Sequence, residues 1–235
     1  EAAAILAERG WDGALRPAAG DYLMVVETNV GFNKVNAIRE AAITYAVDLS
    51  DLAAPVGQVV AAYTNPAVGQ GPCVPGAAYG DGRYLTLVNR CYWNYLRVFV
   101  RDTTELLEAV GPPGPSAWLE LPDAPTGSIE VWPEPKGLQS FGTLMVVPYG
   151  TQQAATVRYA LGPEALSTEG GLTTYNLRLQ KQAGIDVIDV TLSVELPTGS
   201  RLVSTAPRGR LTGTTWQLAL TLRRDTDVRL VFQAP

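Results

Sequence analysis

Short stretches in which apolar and polar residues alternate recur along most of the chain and predict a mainly β protein. A continuous apolar run from Tyr22 to Glu27 predicts a strand that is covered on both faces. Residues 41–49 and 57–64 alternate on either side of a turn and predict a β-hairpin. The sequence predicts a helix only at residues 1–9, and Gly10 ends this helix. Further strands are predicted at 95–100, 104–110, 117–121, 128–132, 144–147, 155–161, 174–181, 187–196, 201–204, 215–222 and 228–232.

The later strands carry an internal repeat. Residues 96–110 align with 192–206, and residues 143–159 align with 216–232. In this register Leu106-Leu107 meets Leu202-Val203. Each copy has a strand, a turn, paired aliphatic residues, a Gly/Pro loop and a long hairpin in the same order, which favours a duplicated β unit. Two unrelated sandwich halves that follow one binary pattern are the alternative.

The strand and turn spacing predicts a short N-terminal helix followed by two consecutive β-sandwich-like (Ig-like) units. We expect residues 1–163 to hold the helix and the first unit with its long loops. Residues 164–235 would form the second, smaller unit. A hairpin around Tyr149-Gly150 is expected in the first unit, and Gly162 to Leu172 reads as a linker.

Composition narrows the classes of function. The chain has 235 residues, 46% of them hydrophobic and 17% charged, which is apolar enough to bury a core. Its net charge is −5 and neither sign is clustered, which disfavours nucleic acid and anionic membrane as partners. No apolar run of about 18 residues occurs, so we expect no direct membrane insertion. The chain has no histidine, which excludes Ser-His-Asp triads, Cys-His catalytic pairs and the usual zinc sites. We predict no cofactor and no metal.

The two cysteines flank one loop. Cys73 lies in a Gly/Pro-rich stretch, Asn65 to Gly82, and Cys91 follows it. A disulfide between them would tether this stretch and would indicate a compartment outside the cytoplasm. Two free buried thiols are the alternative.

The most unusual polar segment follows the first predicted strand. It contains Asn29, Asn33, Lys34 and Asn36, whose amide and ammonium donors suit a sugar or an anionic group. Asparagines also close turns on their own backbone, and Lys34 is equally able to pair with Glu27 or Asp21. Both interpretations remain open at this point.

Aromatic and acidic residues offer two further hypotheses. Trp118 and Trp132 lie in a proline-rich segment and are candidates for exposed rings on which a sugar stacks, although aromatic residues in β proteins usually pack. Glycoside hydrolysis would need two carboxylates about 5 to 10 Å apart, and sequence spacing singles out no pair. The acidic candidates are Asp21, Glu27, Asp48 and Asp51.

Several separated segments resemble a bacterial domain-of-unknown-function family (number 4012). The first three are Gly10-Trp-Asp-Gly13, Gly20-Asp-Tyr-Leu-Met-Val-Val and Thr28-Asn-Val-Gly-Phe-Asn-Lys-Val-Asn36. The others are Cys91-Tyr-Trp-Asn-Tyr-Leu-Arg-Val-Phe-Val and Leu179-Gln-Lys-Gln-Ala-Gly184, so the resemblance covers most of the chain.

One turn departs from the family pattern. Where the family tends to have Pro-x-Gly-Ser after the Leu-Arg-Val strand, this chain has Arg101-Asp-Thr-Thr104, while the second copy keeps Pro197-Thr-Gly-Ser200. The resemblance implies a membrane-anchored envelope protein of Gram-positive or filamentous phototrophic bacteria. It also implies an upstream extracytoplasmic region similar to LytR-type cell-wall proteins. It supplies no catalytic residues.

Together these observations lead us to expect a non-enzymatic extracytoplasmic module of a bacterial surface protein. It would be structural, or would bind envelope glycan or another surface protein, and it would be anchored through an upstream region absent from this chain. The alternative is a carboxylate-dependent enzyme or accessory domain that acts on envelope polysaccharide, with the Asn/Lys loop as its site.

Overall fold

The protein is mainly β. The computed structural model describes residues 2–73, 83–112 and 128–235, so residues 117–121 and Trp118 lie outside the described part. No helix in the described ranges is long and apolar enough to cross a membrane. In chain order the helices and strands are α1 (Ala2–Glu8), β1 (Asp21–Asn29), β2 (Glu40–Asp48), β3 (Val56–Asn65), α2 (Tyr84–Val88), β4 (Tyr92–Arg101), β5 (Glu105–Val110), β6 (Glu130–Glu134), β7 (Leu138–Val147), β8 (Thr151–Ala160), β9 (Leu166–Glu169), β10 (Leu172–Leu179), β11 (Ile188–Glu195), β12 (Arg201–Ala206), β13 (Arg210–Thr212), β14 (Thr215–Leu222) and β15 (Thr226–Gln233).

These strands form two sheets in a sandwich-like arrangement. The first sheet has the order β12-β15-β10-β1-β4-β7-β6, and β9 adds to β10. The second sheet has the order β13-β14-β11-β2-β3-β8-β5. One large cluster of buried apolar side chains draws residues from both sheets, so it lies between them. Strands such as β3, β8 and β10 show alternating burial because one face of each meets this interior.

Strand β1 is buried on both faces, as its continuous apolar run predicts. Leu23 belongs to the interior cluster between the sheets. Tyr22, Met24 and Val26 belong to a second cluster, against which Leu15 of the preceding segment packs. The segment before β1 therefore covers the outer face of the first sheet.

The two halves of the chain have the same strand connectivity. In the first half, β4-β7-β6 lies in one sheet and β3-β8-β5 in the other; in the second half, β11-β14-β13 and β10-β15-β12 repeat this order. Leu107 is the extra residue of a β-bulge between β5 and β8, and Val203 is the extra residue between β12 and β15. The alignment of 96–110 with 192–206 places these two residues at equivalent positions, so its register agrees with the strand pairing. The alignment of 143–159 with 216–232 is out of register at the start of β7, because Thr143 pairs with Leu96 whereas Leu218 pairs with Leu192.

Strands β1 and β2 join the halves. β1 is antiparallel to β4 and parallel to β10, whereas β2 is antiparallel to β3 and parallel to β11. Each therefore occupies the middle of a sheet and binds one strand from either side of residue 163. The division of the chain into units 1–163 and 164–235 stays a prediction.

Three expectations about local pairing have different outcomes. The hairpin of β2 and β3 is confirmed. The hairpin around Tyr149-Gly150 is wrong, since β7 and β8 belong to different sheets, and β14 and β15 are likewise separated. Alternation defines which face of a strand is buried but not which strand is its partner. The expected linker from Gly162 to Leu172 is also wrong, because it contains a 3-10 turn (Pro163–Ala165) and β9, which pairs with β10.

A cavity in β11 should test the coupling of the halves. Leu192 is fully buried and lies beside Tyr45 in the β11–β2 register. We expect Leu192→Ala to lower the free energy of unfolding by about 3 kcal/mol, whereas Leu211→Ala, at an exposed position, should change it by less than about 0.5 kcal/mol. Because both sheets are continuous, amide hydrogen exchange should accelerate in β4 as well as in β14. Acceleration restricted to residues 164–235 would contradict this coupling.

Candidate functional site

The three predicted asparagines lie together at the end of β1. The side-chain amide of Asn29 donates to Oδ1 of Asn33 (2.9 Å) and to Oδ1 of Asn36 (3.1 Å). The Asn33 amide donates to the carbonyl oxygen of Cys91 (3.0 Å), and the N–H of Val35 donates to Oδ1 of Asn33 (3.1 Å). These hydrogen bonds close the loop on itself, as the turn interpretation predicts. A ligand at these residues stays a prediction.

Lys34 lies in the same loop with an exposed side chain. Its backbone N–H donates to the carbonyl oxygen of Leu87 (2.9 Å), which fixes the loop against α2. The expected ion pair of Lys34 with Glu27 or Asp21 is not formed. Glu27 is buried and bonded to the guanidinium of Arg39.

The disulfide between Cys73 and Cys91 is confirmed. The two residues are 18 positions apart, and Cys91 is buried beside Trp93 and Val146. The carbonyl oxygen of Cys91 accepts the Asn33 hydrogen bond, so the disulfide and the asparagine loop support each other. The Gly/Pro-rich stretch is thus tied to the start of β4.

Trp132 lies apart from this loop. It is 51% exposed on β6, and its indole N–H donates to Oε2 of Glu130 (3.3 Å). The same oxygen accepts the hydroxyl of Tyr95. Strand β6 is an edge strand, separated from β1 by β4 and β7. The structure therefore does not bring Trp132 and the asparagines into one site.

The two acidic candidates of β1 are too far apart for a glycosidase pair. Asp21 and Glu27 lie six residues apart on β1, roughly 20 Å along the strand, whereas a glycosidase pair needs about 5 to 10 Å. Asp48 accepts the N–H of Ser50 (2.9 Å), and Asp51 accepts that of Ala53 (2.9 Å). All four acids serve local structure.

Asp21 is the centre of a buried polar network. It is 1% exposed, and its Oδ2 accepts the hydroxyls of Tyr45 (2.6 Å) and Tyr175 (2.7 Å). Its Oδ1 accepts the N–H of Tyr22 (2.7 Å). Burial raises the pKa of the Asp21 carboxyl, and the three hydrogen bonds oppose this shift only in part. Burial also raises the pKa values of Tyr45 and Tyr175.

A pocket of about 270 Å³ lies elsewhere, and the sequence did not predict it. We call it the arginine pocket. It lies between the end of α1, the second residue after β10 and the connection from β14 to β15, three segments that are far apart in sequence. The sequence shows two adjacent arginines in that connection, but no sequence pattern predicts that they lie near residues 7–16. The lining consists of Ala7, Glu8, Arg9, Gly10, Trp11, Arg16, Lys181, Arg223, Arg224 and Asp225.

Hydrogen bonds fix the frame of this pocket. The backbone N–H of Arg16 donates to Oε1 of Gln180 (2.8 Å), whose amide donates to the carbonyl oxygen of Ala14 (2.8 Å). The Arg16 guanidinium binds both carboxylate oxygens of Asp12 at 2.6 Å. The N–H of Lys181 donates to Oδ1 of Asp225 (3.0 Å), which attaches the β14–β15 connection.

The cations of the pocket differ in their partners. The ammonium of Lys181 donates to the carbonyl oxygens of Gln182 and Ile185, and burial lowers its pKa. Arg9, Arg223 and Arg224 have exposed side chains. Among the residues that the structure describes, these three guanidinium groups have no hydrogen-bonded or ion-paired partner. Their donors are therefore available to a ligand.

Comparisons with known proteins identify no family for the chain. No protein-family model matches it, and no curated protein matches it. Among solved structures, it is similar to a Legionella pneumophila protein described as a "putative nutrient binding protein", with 10% sequence identity and a TM-score of 0.48. The match covers 92% of this chain and 72% of that one. At this level of similarity the neighbour lends no support to a function for this chain.

The raised pKa of Asp21 predicts a pH-dependent stability. The folded chain retains the Asp21 proton at pH values where the unfolded chain has lost it. The stability that this proton contributes is fully present below the unfolded pKa of about 4 and is lost as pH rises through the folded pKa. The wild type should therefore lose free energy of unfolding relative to Asp21→Asn as pH rises from about 4, measured by urea denaturation.

Asp48→Asn is the matched control for this measurement. The hydroxyl and N–H of Ser50 lower the pKa of Asp48, so its stabilising contribution is present above the unfolded pKa and is lost as pH falls through the folded pKa. The difference between the wild type and Asp48→Asn should grow as pH rises towards about 4. A difference between the wild type and Asp21→Asn that is independent of pH would contradict the raised pKa.

The disulfide predicts a second stability effect. On the chain-entropy model, a loop of this length stabilises the fold by about 3 kcal/mol. The double variant Cys73→Ser/Cys91→Ser should lose this amount of unfolding free energy, and its denaturation curve should not respond to dithiothreitol. The wild type should respond, and thiol titration of its unfolded, unreduced form should detect no free thiol. Two reactive thiols would contradict the disulfide.

Proposed function

We propose that the chain is a non-enzymatic, extracytoplasmic module of a bacterial surface protein that supports a neighbouring domain and contacts envelope glycan or protein. The observation that carries this proposal is the Cys73–Cys91 disulfide, because disulfides persist mainly in oxidising compartments outside the cytoplasm. The joined sheets support the same proposal, since a double sheet with a continuous core suits a rigid spacer.

We further propose that the two units are Ig-like. The order β1-β4-β7-β6 opposite β5-β8-β3 corresponds to the four-plus-three strand order of a constant-type Ig sandwich. The chain order differs at one strand. β3 occupies the position that the last strand has in an Ig sandwich, but it precedes β4 in the chain. The second half follows the same order with β2-β11-β14-β13 opposite β12-β15-β10. Ig-like units commonly serve as spacers and adhesive modules at surfaces, which fits the proposed role.

We also propose that the chain belongs to family 4012 and is anchored through an upstream region. The support for this proposal lies in how the resembling segments meet. Oε1 of Gln180 accepts the hydroxyl of Tyr22 (2.7 Å), which connects the Leu179–Gly184 segment with the segment that begins at Gly20. The amide of Asn33 donates to the carbonyl oxygen of Cys91, which connects the segments that begin at Thr28 and at Cys91. Residues that resemble one family at separate places thus make direct contacts.

Sedimentation with purified Gram-positive cell walls would test this function. We expect the folded chain to sediment with the walls and the heat-unfolded, reduced chain to lose saturable binding. Reducing ends should not be released, because the buried acids of β1 are bonded within the fold. Release that disappears in Glu27→Gln would favour the polysaccharide-acting enzyme instead. Absence of binding would remove glycan contact from the proposal.

A further inference from the structure

We propose that the arginine pocket binds one unit of an acidic saccharide, a sugar ring that carries a carboxylate or a phosphate group. This inference deepens the envelope contact proposed above and rests on it for the source of the ligand. The charge, the aromatic residue, the acceptors and the size of the pocket support it separately.

The charge of the pocket is opposite to that of the chain. Five cationic and two acidic side chains line it, although the chain as a whole carries a net charge of −5. Arg16 is paired with Asp12 and Lys181 is bound to carbonyl oxygens, so they act mainly as frame. The guanidinium groups of Arg223 and Arg224 are exposed on one three-residue connection. Such groups favour carboxylate or phosphate, which they bind through paired N–H donors.

Trp11 adds an apolar surface beside these cations. It is 62% exposed, although it lines the pocket, and it lies three residues after the end of α1. An exposed indole next to guanidinium groups suits a ligand with one apolar face and one anionic group. The C–H face of a pyranose ring stacks on an aromatic ring, and an attached carboxylate or phosphate would reach the arginines. A simple inorganic anion would leave the indole unused.

The two acids in the lining also favour a polyhydroxylated ligand. Glu8 and Asp225 offer carboxylate oxygens, which accept hydrogen bonds from hydroxyl groups but repel a bare anion. The volume of about 270 Å³ lies below the range of about 300 to 1,000 Å³ that is typical of sites for drug-sized ligands. A single sugar ring with one charged substituent fits these limits.

NMR titration of the whole chain would test the inference with four probes. These are glucuronate, glucose 6-phosphate, glucose and inorganic phosphate. We expect glucuronate or glucose 6-phosphate to shift the indole N–H of Trp11 and the amides of 223–225, with a dissociation constant at least about tenfold lower than for glucose or phosphate. The better of the two charged sugars identifies the anionic group. Equal affinity for inorganic phosphate, or for neutral glucose, would overturn the acidic-saccharide assignment.

Two variants with the same change in charge locate the site. Arg223→Ser/Arg224→Ser should weaken binding of the charged sugar at least about tenfold. Arg208→Ser/Arg210→Ser, which also removes two exposed arginines, should leave it within about twofold. Trp11→Ala should weaken binding of the sugar but not that of phosphate. Equal losses of affinity in the two arginine variants would indicate non-specific charge attraction and would overturn the assignment of binding to the arginine pocket.

This outcome is separable from that of the wall-binding experiment. If the chain sediments with cell walls but none of the probes shifts the pocket signals, the pocket assignment fails and the envelope contact stands. If a charged sugar binds at Trp11 but the chain does not sediment, the pocket stands and the proposed place of action fails. Amide spectra of all variants should match the wild type outside the pocket, which excludes unfolding as the cause of a loss.

Discussion

The arrangement of the strands depends on the hydrogen bonds made by the buried carboxyl of Asp21. It accepts hydroxyls from Tyr45 of β2, in the opposite sheet, and from Tyr175 of β10, in the second half of the chain. A carboxyl that is taken out of water must have such partners, because an unpaired polar group in the interior costs several kcal/mol. The ring of Tyr159 stacks on Tyr45 at 6.4 Å, and Gly57 leaves room for both, since a Cβ atom there would lie 2.8 Å from the Tyr45 hydroxyl.

The position of the arginine pocket follows from the pairing of β1 with β10. Because β10 runs parallel to β1, with Tyr22 beside Arg178 and Leu23 beside Leu179, the chain leaves β10 next to the start of β1. The N–H of Gln180 then donates to the carbonyl oxygen of Leu23 (2.9 Å). From there its buried amide holds residues 14–16, and Lys181 holds the β14–β15 connection. Three distant segments thus enclose one pocket because two strands are paired in one register.

Sequence patterns predicted the strands better than the site. Alternation and turn residues located most strands, and the aligned copies placed Leu107 and Val203 at the same bulge, because both signals depend on local geometry. Pairing across the molecule was not predictable in this way. The central places of β1 and β2 depend on contacts more than 100 residues apart, and a strand's own pattern does not encode them. The asparagine loop was identified as polar, but its mutual hydrogen bonds became apparent only in three dimensions.

The same connectivity in the two halves also shows where they differ. The connections from β7 to β8 and from β14 to β15 each contain three residues, Pro148–Gly150 and Arg223–Asp225. In the first half, Tyr149 of this connection packs against the cluster of Cys91 and lies so close to Gly69 that a Cβ atom there would be 2.2 Å from its ring. In the second half, the same place presents two exposed arginines to a pocket. Since an apolar ring packs well and a guanidinium group favours water, the first connection packs against the disulfide region and the second keeps its charged donors exposed at the arginine pocket.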